Sequence, residues 1–188
     1  MANINDTDLK KIVDEVVSGI MREMPSRLTP ETAGNQFPAA ADQKVVAIGA
    51  DHGGFPMKEN LKAFLEENGY KVIDCGTNST DSVDYPDFAR AVAEQVASGF
   101  AWRGVMIDGA GIGSCMAANK VRGVRAAMCY DYATAYNSRE HNDANLLTLG
   151  AGLIGPNLAK QILTTFLETE FGGDRHARRI DKIMEIEK

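Results

Sequence analysis

The sequence has few cysteines and no long apolar run. Cys75, Cys115 and Cys129 form neither a CxxC pair nor a disulfide-rich pattern, which predicts free thiols in a reducing compartment. No apolar stretch approaches the roughly 20 residues that a membrane-spanning helix needs. The first residues also lack the apolar core of a secretory signal. We therefore expect a cytoplasmic protein that does not bind a membrane.

Positive charge is also scarce. The 188 residues carry a formal net charge of −6, which argues against a broad nucleic-acid-binding surface. A small anionic metabolite needs only a local group of bases, and one such group lies near the C-terminus: Arg175, His176, Arg178 and Arg179. With 44% hydrophobic residues, the chain suits one globular domain of about 150 residues plus an appendage.

The appendage is predicted to be an amphipathic helix over residues 1–24. Between Leu9 and Met24, apolar side chains recur at steps of three and four residues, with charged side chains opposite. Residues 25–43 contain Pro25, Pro30 and Pro38 with little apolar periodicity, which indicates a flexible linker. The globular domain is then expected over residues 44–188.

Within that domain, short apolar runs alternate with amphipathic segments. This alternation predicts an α/β fold with five parallel strands. The predicted strands are 44–49, 71–74, 104–107, 125–128 and 146–149. The predicted helices are 56–68, 87–98, 114–120, 131–139, 156–169 and 174–187. We expect the last helix to leave the body and meet another subunit.

A glycine-rich turn follows the third strand. An apolar run ends at Asp108, and Gly109, Gly111 and Gly113 then allow a tight turn that offers backbone N–H groups to an anion. Taken alone the signal is weak, because it fits dinucleotide, phosphate or enediolate binding and also a simple tight turn.

Other polar residues lie near predicted strand ends. Asp51 and His52 follow the first strand, and His141 and Asn142 precede the fifth. Ligands of open parallel sheets bind beyond the carboxyl ends of the strands, so we expect these residues to converge with the glycine turn. A lone histidine is more often structural than catalytic, and the combination is what favours a site.

Five motifs in this order resemble the type B ribose-5-phosphate isomerases and the related galactose-6-phosphate isomerase subunits. They are GADHGGFPMKENL from Gly49, DYP from Asp84, GAGIG with AANK from Gly109, SREHNDAN from Ser138, and GGDRHARR from Gly172. The resemblance covers residues 44–188. It implies a Rossmann-like three-layer α/β/α sandwich, a homodimer or dimer of dimers with active sites at the subunit interface, and isomerisation of sugar phosphates without a metal or cofactor.

The resemblance also implies a role for each matching residue. His141 would assist ring opening, and Asp51 and Asn142 would hold sugar hydroxyls. The enediolate would bind the amides of Gly109, Gly111 and Gly113, and the phosphate would bind His52, Arg175 and Arg179.

The chain departs from the family at the base. Many members have a cysteine base where this chain has Asp108 and a hydroxyl residue where it has Ala110, and another branch has a glutamate at the position of Ser114. Asp108 is the leading substitute, since a desolvated carboxylate can remove a proton next to a carbonyl. Cys115 is the second choice, with a packing cysteine as the alternative.

These observations predict an aldose–ketose isomerase that acts through an enediolate. The default pair is ribose 5-phosphate and ribulose 5-phosphate. The altered base leaves open a tetrose or hexose phosphate as substrate, or a protein that binds sugar phosphates without turnover.

The N-terminal segment resembles an encapsulation peptide, the kind of amphipathic helix that carries enzymes into bacterial microcompartments. Residues 4–24 would then dock on shell or cargo proteins. The alternative is a helix that packs on its own oligomer. The expected location is the cytoplasm, or a microcompartment within it.

Overall fold

The computed structural model describes residues 44–187, so the predicted N-terminal helix and linker lie outside the described residues. The strands are β1 (Val45–Ala50), β2 (Lys71–Asp74), β3 (Arg103–Asp108), β4 (Ala126–Met128) and β5 (Leu146–Gly150). The helices are α1 (Phe55–Glu67), α2 (Tyr85–Ala97), α3 (Ile112–Ala118), α4 (Tyr132–Glu140), α5 (Pro156–Glu168) and α6 (Ala177–Glu185). No helix within these residues is long and apolar enough to cross a membrane.

The five strands form one parallel sheet in the order β2-β1-β3-β5-β4. In the registers, Ala50 pairs with Ile107, and Asp108 pairs with Gly150. The carboxyl ends of β1, β3 and β5 therefore meet at one edge of the sheet. That edge carries the residues that follow β1 and β3.

Buried side chains fill both faces of the sheet. One core packs β1, β3 and β5 against α1 and α5, with Leu61 and Phe166 fully buried. The other packs Ala47, Met106 and their neighbours against α2 and α3. The predicted three-layer α/β/α sandwich with a five-stranded parallel sheet is confirmed.

A buried ion pair joins α1 to the end of β2. The Nζ atom of Lys58, a fully buried residue, lies 2.8 Å from each carboxylate oxygen of Asp74. The same carboxylate accepts a hydrogen bond from the Gly76 amide at 3.0 Å. The Gly76 carbonyl in turn accepts a hydrogen bond from the Ala50 amide at 2.6 Å. The ion pair thus anchors the loop that flanks the carboxyl end of β1.

The last helix stays beside the body of its own chain. Ile180 is buried, and the Glu187 carboxylate accepts a hydrogen bond from the Gly123 amide at 3.0 Å. This differs from the expectation that the helix leaves the body, because these contacts hold it there. Ile183 and Ile186 remain exposed.

Candidate active site

Asp51 lies directly beyond β1 at the carboxyl edge. Its amide donates to the Ile107 carbonyl at 3.1 Å, which ties it to the neighbouring strand. Its carboxylate accepts one hydrogen bond, from the Gly54 amide to Oδ1 at 2.9 Å. Its second oxygen, Oδ2, has no hydrogen-bond partner among residues 44–187. Asp51 is held in place and keeps one acceptor atom available.

Gly53 brings Asp51 close to the glycine turn. A Cβ atom on Gly53 would lie 3.4 Å from Asp51 Oδ1 and 3.8 Å from the Gly109 nitrogen. The carboxylate and the Gly109 amide therefore border the same space. Two predicted site residues from different motifs are brought together here.

Asp108, at the end of β3, is buried and holds its own loop. Oδ1 accepts hydrogen bonds from the amides of Ala110, at 2.8 Å, and Gly111. Oδ2 accepts from the Ser114 amide at 3.1 Å and from the Ser114 hydroxyl. Gly111 has a φ of +79°, a left-handed conformation that glycine adopts readily. Four donors from one turn therefore surround this carboxylate.

Three other amides of the turn do not bond to Asp108. The N–H groups of Gly109, Ile112 and Gly113 donate to no acceptor among the described residues. Gly113 packs so closely under the Tyr85 ring that a Cβ atom would lie 2.6 Å from it. Tyr85 belongs to the DYP motif, and nothing in that motif indicates this contact.

His52 lies next to Asp51 at the same edge. Its Nδ1 accepts a hydrogen bond from the Val83 amide at 3.3 Å. This bond makes Nδ1 the acceptor and leaves Nε2 as the N–H donor of the neutral ring. The carboxyl edge thus carries a donor ring, a carboxylate and free amides.

His141 and Asn142 do not lie at the carboxyl edge. They follow α4, which starts beyond β4 and runs back to the start of β5, so both lie at the amino edge of the sheet. The His141 ring stacks on the His176 ring, with centroids 4.3 Å apart. Asn137 Nδ2 lies 2.7 Å from His141 Nδ1, and the Asn142 side-chain amide donates to the Asn137 carbonyl at 3.1 Å.

The basic cluster shares this edge. Nε of Arg175 donates to Nε2 of His176 at 3.3 Å, and Arg179 is exposed on the first turn of α6. Burial of His176, together with its electrostatic interactions with His141, Arg175 and Arg179, lowers its pKa. A neutral His176 is the ring that can accept the arginine bond. His176 belongs to the basic cluster in the sequence, but the pattern there indicates no role for it.

Within one chain, the predicted site residues form two separate groups. The first group, at the carboxyl edge, is Asp51, His52, Asp108, Gly109, Gly111 and Gly113. The second group, at the amino edge, is His141, Asn142, Arg175 and Arg179. A five-residue strand spans about 16 Å, so the expected convergence does not occur inside one chain.

Cys115 lies away from the carboxyl edge. Its thiol donates to the carbonyl of Ala126, in β4, at 3.4 Å. Burial raises the pKa of this thiol, which disfavours a thiolate. Within residues 44–187, no group of three or more His, Cys, Asp or Glu side chains could hold a metal ion.

A cavity of about 820 Å³ adjoins the amino-edge group. Asn137 and Asn142 line it, together with apolar side chains that include Met128, Ile183 and Ile186. The cavity lies between β4, α4 and α6. It contains neither Asp51 nor Asp108.

Comparisons with known proteins agree on one family. A sequence profile described as Ribose/Galactose Isomerase matches residues 46–183. Ribose-5-phosphate isomerase B of Escherichia coli is 43% identical over 145 residues, which is 77% of this chain and 97% of the relative. D-erythrulose-4-phosphate isomerase of Pectobacterium atrosepticum is 40% identical over 73% of this chain and 91% of its own length. The structure of Clostridium thermocellum ribose-5-phosphate isomerase B has a TM-score of 0.75 and 52% identity, covering 76% of this chain and 97% of that chain.

Proposed function

This chain belongs to the Ribose/Galactose Isomerase family, and from that premise we propose that it interconverts ribose 5-phosphate and ribulose 5-phosphate. It is an aldose–ketose isomerase of sugar phosphates. The observation that carries the proposal is the carboxyl edge, where the Asp51 carboxylate and the unbonded Gly109 amide border one space. Such a pair can take a proton from carbon and stabilise the enediolate that forms.

The remaining groups suit the other steps. His141 assists ring opening, and Asn142 holds a sugar hydroxyl. The phosphate binds His52, Arg175 and Arg179, because an arginine presents a fork of donors to a dianion. The roles of Asp108 and Cys115 as the catalytic base stay predictions. The four hydrogen bonds that Asp108 accepts weigh against Asp108, and the hydrogen bond from the Cys115 thiol to the Ala126 carbonyl weighs against Cys115.

The site is complete only when two copies of the chain meet. One chain holds its two groups at opposite edges of the sheet, so a partner has to bring its amino-edge group to the carboxyl edge. We therefore propose a homodimer, or a dimer of dimers, with shared sites.

Subunit mixing tests this arrangement. Asp51→Asn and His141→Asn proteins should each be inactive, and their mixture after unfolding and refolding together should regain activity. Random pairing restores about a quarter of the wild-type sites, because half of the dimers carry one intact site. A mixture as inactive as its components would contradict shared sites.

A tetrose phosphate is the second candidate substrate. The similarity to D-erythrulose-4-phosphate isomerase and the unusual Asp108 support it. Measuring ketose formation from ribose 5-phosphate and from tetrose and hexose phosphates separates the candidates. The proposal predicts the highest kcat/KM for ribose 5-phosphate. Thermal stabilisation by all of these compounds without product would indicate a non-catalytic binder.

The N-terminal segment has its own proposed role. We propose that residues 4–24 dock on shell or cargo proteins of a bacterial microcompartment, so that the enzyme works in the cytoplasm inside that shell. The support is the apolar stripe and the linker in the sequence. Removal of residues 1–42 should leave activity intact and abolish co-sedimentation with shells. Unchanged co-sedimentation would contradict targeting.

A further inference from the structure

Asp51 follows β1, and Asp108 ends the neighbouring strand β3. The surroundings of the two carboxylates differ, and this difference indicates a different role for each. We infer that Asp51 is the base that removes the proton from C2 of the sugar, whereas Asp108 is an internal anion that shapes the glycine turn. The inference rests on the proposed isomerase function and assigns its central chemical step.

Asp108 has little capacity left for a proton. A carboxylate offers about four lone-pair sites, and Asp108 receives four donors: the amides of Ala110, Gly111 and Ser114 and the Ser114 hydroxyl. Ser114 is fully buried and Asp108 nearly so, which leaves little water to replace a lost donor. A proton from the substrate would have to displace one of these bonds and disturb the turn.

Asp51 has the opposite surroundings. Oδ1 accepts only the Gly54 amide, and Oδ2 accepts nothing from residues 44–187. The residue is 8% exposed, yet Oδ2 is not sealed from solvent, since the only side-chain N or O atom in these residues that is both fully buried and unpartnered is Nε of Arg103. A carboxylate oxygen at the carboxyl edge that is accessible and has no hydrogen-bond donor can accept a proton from the carbon of a bound sugar.

The position of Asp51 is also firmly held. Its amide donates a hydrogen bond to the Ile107 carbonyl. The preceding residue, Ala50, donates its amide to the Gly76 carbonyl at 2.6 Å, and its carbonyl accepts a hydrogen bond from the Thr77 amide at 2.7 Å. A base fixed in this way loses little freedom when the substrate binds.

The neighbouring amide completes the step. With the sugar carbonyl on the Gly109 amide, Asp51 takes the C2 proton. The C–H electron pair forms the C1=C2 bond, and the carbonyl pair moves to O1 as the enediolate. The proton on O2 then passes to O1 and a carbonyl forms at C2, while protonated Asp51 returns its proton to C1. Atoms and charge balance without a co-reactant.

Loss and rescue of the base provide the first test. Asp51→Ala should lower kcat with ribose 5-phosphate by about 10²- to 10⁴-fold, the range for a general base, with a much smaller change in KM. Formate is a small carboxylate that can enter the space left by the side chain. It should restore part of the kcat in Asp51→Ala and none in Asp108→Ala. Failure of formate to restore Asp51→Ala would overturn the inference.

A second variant tests Asp108 without removing it. Ser114→Ala deletes one donor to Asp108 Oδ2 and should lower kcat by about 10-fold or less. If Asp51 is the base, the acid limb of kcat/KM against pH stays at the wild-type position in Ser114→Ala. A shifted acid limb would assign the base to Asp108 and overturn the inference. A wild-type protein that forms no ketose from any sugar phosphate would overturn the proposed function, and the inference with it.

Discussion

The buried ion pair between α1 and β2 should respond unequally to the loss of its two partners. Lys58 is fully buried, and its Nζ lies 2.8 Å from both oxygens of Asp74 and 2.7 Å from Glu59. Asp74 also receives Lys62 Nζ at 2.7 Å and the Gly76 amide at 3.0 Å. Asp74 therefore keeps two donors without Lys58. Without Asp74, the buried Lys58 ammonium keeps Glu59 as its one ion-pair partner among residues 44–187.

The magnitudes follow from these surroundings. Removing one member of a buried ion pair costs about 3–5 kcal/mol. The remaining partner of Lys58, Glu59, is about half exposed and compensates the buried ammonium only weakly, so we expect this range for Asp74→Ala. Lys58→Met keeps most of the apolar stem and leaves Asp74 bonded, so we expect about 1–3 kcal/mol. The difference of about 2 kcal/mol corresponds to about 4–8 °C in Tm for a chain of this size.

Urea unfolding of the full chain, followed by circular dichroism, measures both losses. Lys62→Met is the matched control, because Lys62 is partly exposed and its ion pair should contribute about 1 kcal/mol or less. Equal losses for Asp74→Ala and Lys58→Met, or a larger loss for Lys58→Met, would show that the Lys58 ammonium does not depend on Asp74 for compensation.

The same carboxylate has a defined pH dependence. Burial alone would raise the pKa of Asp74, but hydrogen bonds from Lys58 and Lys62 outweigh it and hold the pKa below its usual value. Because the folded pKa is the lower one, the stabilisation is complete above the unfolded value of about 3.9 and is lost as the pH falls through the folded value. The difference in the free energy of unfolding between wild type and Asp74→Ala should therefore become smaller only at acidic pH.

Three further changes have defined outcomes. Phe166→Ala removes a fully buried ring and should lower the free energy of unfolding in urea by about 3–5 kcal/mol. Gly54→Ala places a methyl group against a backbone carbonyl of β3 and should lower Tm, whereas Gly155→Ala, in open space, should leave Tm nearly unchanged. Burial raises the pKa of Cys75 and Cys129 to about 11. Only about one thiol in a thousand is then ionised at pH 8, so iodoacetamide should label both slowly until urea unfolds the chain; rapid native labelling would contradict this.

The strands and helices could be predicted because each carries a clear hydrophobic period. The strand 71–74 is predicted with the bounds that the structure shows, β4 and β5 differ from their predictions by one residue at one end, and β1 and β3 differ by one residue at each end. Helix starts were less accurate. α2 begins at Tyr85 rather than 87, because Pro86 occupies the first turn, and α3 begins at Ile112 rather than 114, directly after the turn at Gly111.

The site was predicted in part. Asp51 and Asp108 follow strands, and a residue that follows a parallel strand must lie at the carboxyl edge. His141 precedes a strand, so the same rule places it at the opposite edge, and only a second copy can bring the two groups together. The hydrogen bonds of Asp108 depend on the left-handed backbone at Gly111, which the sequence permits but does not specify.

The proposed reaction moves a proton between C2 and C1 of ribose 5-phosphate through an enediolate. The direct measurement is ¹H NMR of ribose 5-phosphate with the full chain in heavy water. We expect ribulose 5-phosphate to form and deuterium to enter its C1 and the C2 of the remaining aldose, because the proton held by Asp51 exchanges with heavy water before it is returned to carbon. Asp51→Ala should slow both. Ribose 5-phosphate that binds, keeps its C2 proton and gives no ketose would contradict an isomerase that acts through an enediolate.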